Sequence, residues 1–376
     1  MKSARALAAA VLCAASLSAC QVRPVNELTP EQQAQLNAYL ADKPAQLRSE
    51  YARLWREGPG NAVLNNMKLG TEAMRRRLFA DAERAFDTAL DGIETIYADN
   101  DKAEQARSLW YEEKVKDFKG EPHERMMAYY YRGLLYLRVG DYDNARAAFK
   151  AAMLQDSFAE RERFRSDTAA VVWLEGWAAR CAGDVKRAGD LFQEAGQLRD
   201  TLEPPPPGDT LLVVAESGGI GHKITSGQFN ERLQFKEGNK PLSGIEARRG
   251  ALVRPLMVAE DVYFQATSRG GRPIDVILAG KAQFKGTAAA IGDVALQAGV
   301  MAAGYGAANH DRRAAGAGLA FLVVGLIAHA SAAAANPAAD NREWSELPHN
   351  ILLTTLPGGT GPINITDSDG QSVLLN

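Results

Sequence analysis

The chain has 376 residues, 46% hydrophobic and 24% charged, the balance of an ordinary folded protein rather than a disordered or collagen-like one. Lys+Arg 43 against Asp+Glu 46 leaves a net charge of −3, so no global excess of positive charge points to nucleic acid. Three cysteines exclude a disulfide framework, and the length suggests two domains or one large one.

The first twenty residues read as an address. Lys2 and Arg5 form a positive n-region, and residues 6–17 form an apolar stretch too short to span a bilayer as a helix. The stretch ends in Leu17-Ser18-Ala19-Cys20, which resembles the bacterial lipobox. Small residues beside the cut admit the peptidase, and the thiol at the next position receives the diacylglycerol. Residues 1–19 are therefore expected to be a lipoprotein signal peptide and Cys20 the lipidated residue, carrying palmitate-type acyl chains. An ordinary signal peptide with an incidental cysteine is the alternative. Each buried CH₂ of an acyl chain is worth about 0.8 kcal/mol, so several chains anchor firmly. Gln21, not Asp, follows the cysteine. By resemblance to Gram-negative sorting rules, this predicts the outer membrane, with the protein facing the periplasm. Cys181 would then be the one thiol left, with no intramolecular disulfide.

Residues 20–62 read as a tether and a helix. Thr29-Pro30-Glu31 is an N-cap followed by an N1 proline, and Leu36, Leu40, Leu47, Tyr51 and Trp55 supply the apolar positions before Gly58-Pro59-Gly60 breaks the chain. Residues 63–203 carry internal self-similarity. Windows at 63–96, 126–159 and 169–202 align Gly70, Gly133 and Gly176; then Ala82, Ala145 and Ala188; then Phe86, Phe149 and Phe192; and finally Ala89, Ala152 and Ala195. This is the tetratricopeptide pattern. The glycine and first alanine let two antiparallel helices approach, the Phe fills the inter-repeat core, and the last alanine leaves room for the next repeat. The array is irregular, with an insert at 97–125 and nine extra residues, Glu160 to Thr168.

First-helix positions expected to face the groove of such an array include Met67, Met74 and Arg75; Tyr130, Leu134 and Arg138; and Trp173, Trp177 and Arg180. An aromatic, Met-rich surface with one arginine per repeat suits an extended peptide with carboxylate groups. Packing against the insert or the C-terminal region is the alternative. Four prolines, Pro204 to Pro207, favour extended backbone and mark a linker at 204–209.

Residues 210–376 read as a mixed β domain. Candidate strands are 211–215, 233–236, 251–258, 262–267, 274–278, 351–356 and 373–375. Between them lie two Ala/Gly-rich segments of helix length, 287–308 and 314–335, parted by Asn309-His310-Asp311-Arg312-Arg313. The second has no Asp, Glu, Lys or Arg. Their small-residue stripes suit close helix packing. A buried hairpin, insertion at a membrane surface and an oligomerisation surface are the three alternatives. The expected fold class is thus α+β, with an N-terminal all-α tetratricopeptide-like array followed by a smaller strand-rich domain carrying a small-residue helical hairpin.

No catalytic constellation stands out. Ser217 to Lys223 invites a phosphate-loop reading, but His222 parts Gly221 from Lys223, and Ile224 stands where Ser or Thr is needed. Ser217 lacks the preceding glycine of a nucleophile elbow. The five histidines are scattered without metal-ligand spacing, and Cys181 beside Arg180 reads as a small buried hydrophobe. No cofactor, metal, nucleic acid or small-molecule substrate is expected.

Three stretches together resemble an uncharacterised family of bacterial tetratricopeptide lipoproteins. They are the lipobox at Cys20, the run Phe118-Lys119-Gly120-Glu121-Pro122-His123-Glu124-Arg125, and the run from Ala339 to Pro348. In the last run, Asp340, Arg342 and Trp344 suit a salt-bridged, Trp-anchored corner. Members are similar to neighbours of the lipoproteins that activate penicillin-binding proteins. The resemblance implies cell-envelope work with an envelope or periplasmic protein as partner, and no reaction. The expected function is an outer-membrane-anchored interaction scaffold. The alternative is a subunit of an envelope assembly or secretion complex that oligomerises or meets the membrane through 287–335.

Overall fold

The computed structural model describes residues 28–97, 117, 118, 120–157, 168–267, 273–308, 321–324, 326–328 and 339–375. The expected signal peptide, Cys20 and most of the insert lie outside them, as do residues 160–167 and most of the 314–335 segment. The chain divides into two compact units, Met1–Trp55 and Arg56–Asn376.

In the first unit, α1 (Pro30–Leu40) starts as the sequence suggests. The Thr29 hydroxyl accepts from the Gln32 amide N–H at 3.2 Å, and the Gln32 side chain accepts from Thr29 N–H at 2.9 Å, with Pro30 in the first turn. Helix α2 (Arg48–Glu57) follows, and Leu36, Leu47 and Tyr51 are buried.

The second unit begins with three helix pairs: α3 (Ala62–Arg75) with α4 (Phe79–Tyr97), α5 (Pro122–Val139) with α6 (Tyr142–Ser157), and α7 (Ala169–Cys181) with α8 (Val185–Leu198). Helix α5 starts four residues ahead of the expected window, because Glu121 and Glu124 cap it reciprocally and Pro122 fills its first position. The aligned glycines serve one purpose. A Cβ on Gly70, Gly133 or Gly176 would stand 2.7, 2.5 or 3.0 Å from the ring of Phe86, Phe149 or Phe192. The approach they permit is therefore that of a phenylalanine ring to the helix backbone. All three rings are buried, as are Ala82, Ala145, Ala188, Ala89, Ala152 and Ala195.

Residues on both sides of the proline run belong to the same unit. Beyond the run, nine strands among the described residues form three antiparallel sheets: β1 (Asp209–Ser217), β7 (Asn350–Pro357) and β6 (Met257–Asp261) in the order β1-β7-β6; β2 (His222–Ser226) with β3 (Arg232–Lys236); and β5 (Leu252–Pro255), β4 (Glu246–Arg249), β8 (Ile363–Thr366) and β9 (Ser372–Leu375) in the order β5-β4-β8-β9. The first and third sheets share a core of Val213, Ile245, Ala247, Leu256, Leu352, Leu356 and Ile363. The architecture is α+β, helices first and strands after.

Two expected strands are helices instead. Residues 262–267 form α9 (Val262–Thr267), whose Asp261 side chain accepts the Phe264 amide at 2.7 Å in the manner of an N-cap. Residues 274–278 lie within α10 (Pro273–Ala308), which begins at a proline 14 residues ahead of the expected 287. A short apolar run has no periodicity to tell a strand from part of a long helix, and at 274–278 the helix length decided it. Residues 321–324 and 326–328 are helical within the second small-residue segment.

Candidate functional site

The inner surface of the helix pairs is covered by the chain's own later residues, and its centre is an ion pair. Glu124, in the first turn of α5, takes both oxygens to Lys223 Nζ at 3.0 Å, with side chains 1% and 2% exposed. Lys223 gives its remaining proton to the Arg342 carbonyl at 3.0 Å. Glu124 also accepts the Trp344 amide at 2.9 Å and the Glu121 amide at 2.6 Å. A charge pair taken this far out of water holds only where the remaining donors and acceptors are met, and here they are.

Trp344 is the plug that this polar cluster positions. Its indole, 1% exposed, lies between Phe86 (6.2 Å) and Tyr131 (5.6 Å) and donates its N–H to the Thr71 hydroxyl at 3.3 Å. Arg342 pairs with Asp340 at 2.7 Å and donates to Asn61 Oδ1 at 2.7 Å, with Phe118 under its guanidinium. The salt-bridged, Trp-anchored corner of the sequence reading thus forms, and it is built into the repeat surface.

The groove candidates fall on this covered surface or leave it. Met67, Tyr130 and Trp173 are fully buried, Trp177 is 5% exposed, and Met74 and Leu134 are half-buried. Trp173 stacks on Trp177 at 6.0 Å and donates to the Glu203 carbonyl at 2.9 Å. The arginines expected to hold a partner's carboxylate hold backbone carbonyls of this chain. Arg75 donates to Glu346 O at 2.8 Å, and Arg180 reaches the carbonyls of Pro206, Pro207 and Asp209 at 2.8–3.0 Å. Arg138 lies over the Phe79 ring at 3.7 Å. The insert-or-domain alternative is the arrangement observed, and the C-terminal segment does most of the covering.

A polar spot remains inside it. Glu216, near the end of β1, faces the hydroxyls of Tyr130 and Tyr131 on α5, with the Arg75 charge nearby. Solvent reaches Glu216, yet crowding by the helices pushes its carboxyl up to about 6. Burial, then the carboxylate's charge, push both phenols well above their usual range. Elsewhere, Cys181 is exposed rather than the buried small hydrophobe expected, because it sits at the open end of α7; the burial it does have pushes its thiol up, opposite to an activated nucleophile. Among the described residues, no group of three or more His, Cys, Asp and Glu is placed to hold a metal ion.

The opposite condition holds on α10. Residues Lys285–Ala303 are long and apolar enough to cross a membrane, with a mean hydropathy of 1.2, and little of that stretch is buried. Ile291, Val294, Val300 and Met301 are 53–69% exposed, and Phe321, Val323, Val324, Leu326 and Ile327 of the next segment are 48–62% exposed. Ile291 and Val300 are nine residues apart, on opposite sides of the helix, so its apolar surface is not one seam.

Sequence reasoning missed Glu124 and Lys223 as partners. The Glu121-Pro122-x-Glu124 capping pattern was readable, but Lys223 had been weighed only as part of a failed phosphate loop. Glu216 was also missed; an acid closing the apolar run 211–215 was its signal. No family model, no curated protein and no solved structure matches this chain.

Proposed function

We propose that the protein is a non-enzymatic scaffold of the bacterial cell envelope, anchored through lipid on Cys20 to the outer membrane, on its periplasmic face. Its helix pairs are tetratricopeptide-type repeats whose concave face binds the chain's own 339–347 segment. The outward interaction surface is made of α10 and the apolar residues 321–324 and 326–328, and it lies against the bilayer. One observation carries this reading: the aromatic groove is covered, while bulky aliphatic side chains around α10 stand in water. Exposed apolar area of this kind marks an interaction site on a folded protein. Apolar residues on opposite sides of a helix suit lipid better than a single protein seam. The lipobox and the resemblance to envelope lipoproteins support the setting, with an envelope or periplasmic protein as the partner held at the membrane.

The test is flotation of the non-acylated protein, with Cys20 replaced by Ala and the signal removed, on phosphatidylethanolamine–phosphatidylglycerol vesicles. The wild-type helix is expected to float with the vesicles, and an Ile291→Ser, Val294→Ser, Met301→Ser variant to stay at the bottom with unchanged thermal stability. A wild-type protein that stays at the bottom as a monomer overturns the membrane reading. One that stays at the bottom as a defined oligomer transfers this surface to self-association.

A further inference from the structure

Much of the covered inner surface is closed by matched pairs, and one polar spot that is not lies between α5 and β1. The side chains of Tyr130 and Tyr131 are 0% and 2% exposed, and neither hydroxyl makes a hydrogen bond to any described group. Both lie beside the Glu216 carboxyl, which acts on each as a charge and as a weak acceptor, but neither contact reaches the length and angle of a full hydrogen bond. A buried hydroxyl left this way costs about 1–3 kcal/mol, so two side by side, facing a carboxylate that solvent still reaches, is an expensive arrangement unless something completes it.

We propose that Glu216, Tyr130 and Tyr131 form a binding site for a primary ammonium group, such as a lysine side chain or the amino terminus of a peptide. Three oxygen-bearing groups converge there from two elements, and an ammonium presents three donors with no acceptor. The carboxylate supplies the countercharge, and the tyrosine rings offer a cation further stabilisation. The nearby cation does not fill this role: Arg75 donates to Glu346 O at 2.8 Å and stands 3.9 Å from the Glu72 carboxylate. An anion would meet the Glu216 charge. A neutral hydroxyl would satisfy the hydrogen bonds but leave that charge unmatched. Calcium asks for six to eight oxygens, more than this site presents.

The groups facing Glu216 are Tyr130 and Tyr131 from α5 and Arg75 from α3. The phenols keep their protons throughout the working range, so binding follows the protonation of Glu216. The site is independent of the membrane contact proposed above.

The test titrates the purified full-length mature protein with n-butylammonium chloride at pH 8, with tetramethylammonium chloride as the control at equal ionic strength. Trp344, whose ring is 5.6 Å from Tyr131, reports by fluorescence. A saturable change is expected with butylammonium and not with tetramethylammonium. It should be lost in Glu216→Gln and weaken about tenfold at pH 5, where the carboxyl takes up its proton. Tyr131→Phe, which keeps the buried ring, should weaken it about threefold or more and carries the test should Glu216→Gln lose its wild-type circular dichroism. An equal response to tetramethylammonium, a response unchanged in both variants, or saturation by sodium or calcium chloride alone overturns the ammonium assignment.

Discussion

The inner surface of the three helix pairs and the surface of α10 are both apolar, and the fold treats them in opposite ways. Around Trp344, each large ring has a neighbour and the backbone ends at a carboxylate that a lysine matches. Around Val294 and Met301, none of the described residues covers side chains that are 69% exposed. Aromatic rings offer large area and defined geometry, and a short segment of chain carrying one Trp can seal such a surface. A helix of alanine, glycine and scattered aliphatics offers little relief for a segment of the same chain to fit. The lesson is that the surface richest in recognition-type residues is the one the protein uses on itself.

The strongest way to break this comparison is to remove the seal. Trp344→Ala empties a fully enclosed space and should destabilise the second unit by about 3–5 kcal/mol, measured by urea unfolding. Lys223→Met leaves Glu124 buried without its partner and should cost a similar amount, about 3–5 kcal/mol. The triple serine change on α10 should stay within about 0.5 kcal/mol per site, since these side chains are exposed. If Trp344→Ala costs less than about 1 kcal/mol, the segment is a loose occupant and the groove is available to outside peptides.

A second, smaller series tests the ring-on-backbone contact that unites the three repeats. A Cβ at Gly133 would meet the Phe149 ring at 2.5 Å, at Gly70 the Phe86 ring at 2.7 Å, and at Gly176 the Phe192 ring at 3.0 Å. Overpacking of this kind costs about 1–3 kcal/mol, while replacing a helical glycine with alanine returns up to about 1 kcal/mol. Glycine-to-alanine changes should therefore destabilise in the order Gly133, Gly70, Gly176, with the last close to neutral in thermal unfolding. An inverted order would mean that the glycines serve backbone freedom rather than room for the ring.

The three helix pairs were legible because their signal is periodic: glycine, alanine and phenylalanine at fixed offsets describe contacts between neighbours in sequence. The strand region was legible in part. The β1 and β7 segments, paired along their length and rich in aliphatics, declared themselves, while β4 and β8 did not. Glu246-Ala247-Arg248-Arg249 and Ile363-Asn364-Ile365-Thr366 become strands by pairing with each other across more than a hundred residues. Helix α9 was misread because Val262-Tyr263-Phe264 favours a strand in isolation, and only the Asp261 cap turns it. The covered groove was open as an alternative but not decidable. Lys223 finds Glu124 across 99 positions and Trp344 finds it across 220. No local pattern encodes such a meeting.

The smallest effect sharpens the comparison from inside the sealed surface. The folded state holds the Glu216 carboxyl at about 6, above the ordinary value of 4.5, so the native protein binds its proton more tightly than the unfolded chain does. Stability from this group is therefore fully present below about pH 4.5 and is lost as pH rises towards 6, the reverse of a carboxylate in a good salt bridge. Glu216→Gln, neutral at every pH, should be more stable than the wild type at pH 7 by no more than about 1 kcal/mol, because solvent reaches the carboxyl and screens it. The advantage should vanish in urea unfolding at pH 4.5. Saturating butylammonium should also erase it at pH 7 by stabilising the wild type alone. A variant less stable than the wild type at pH 7 without added amine would mean that Glu216 already has its counterion within the fold, and that no ammonium group is needed to match it.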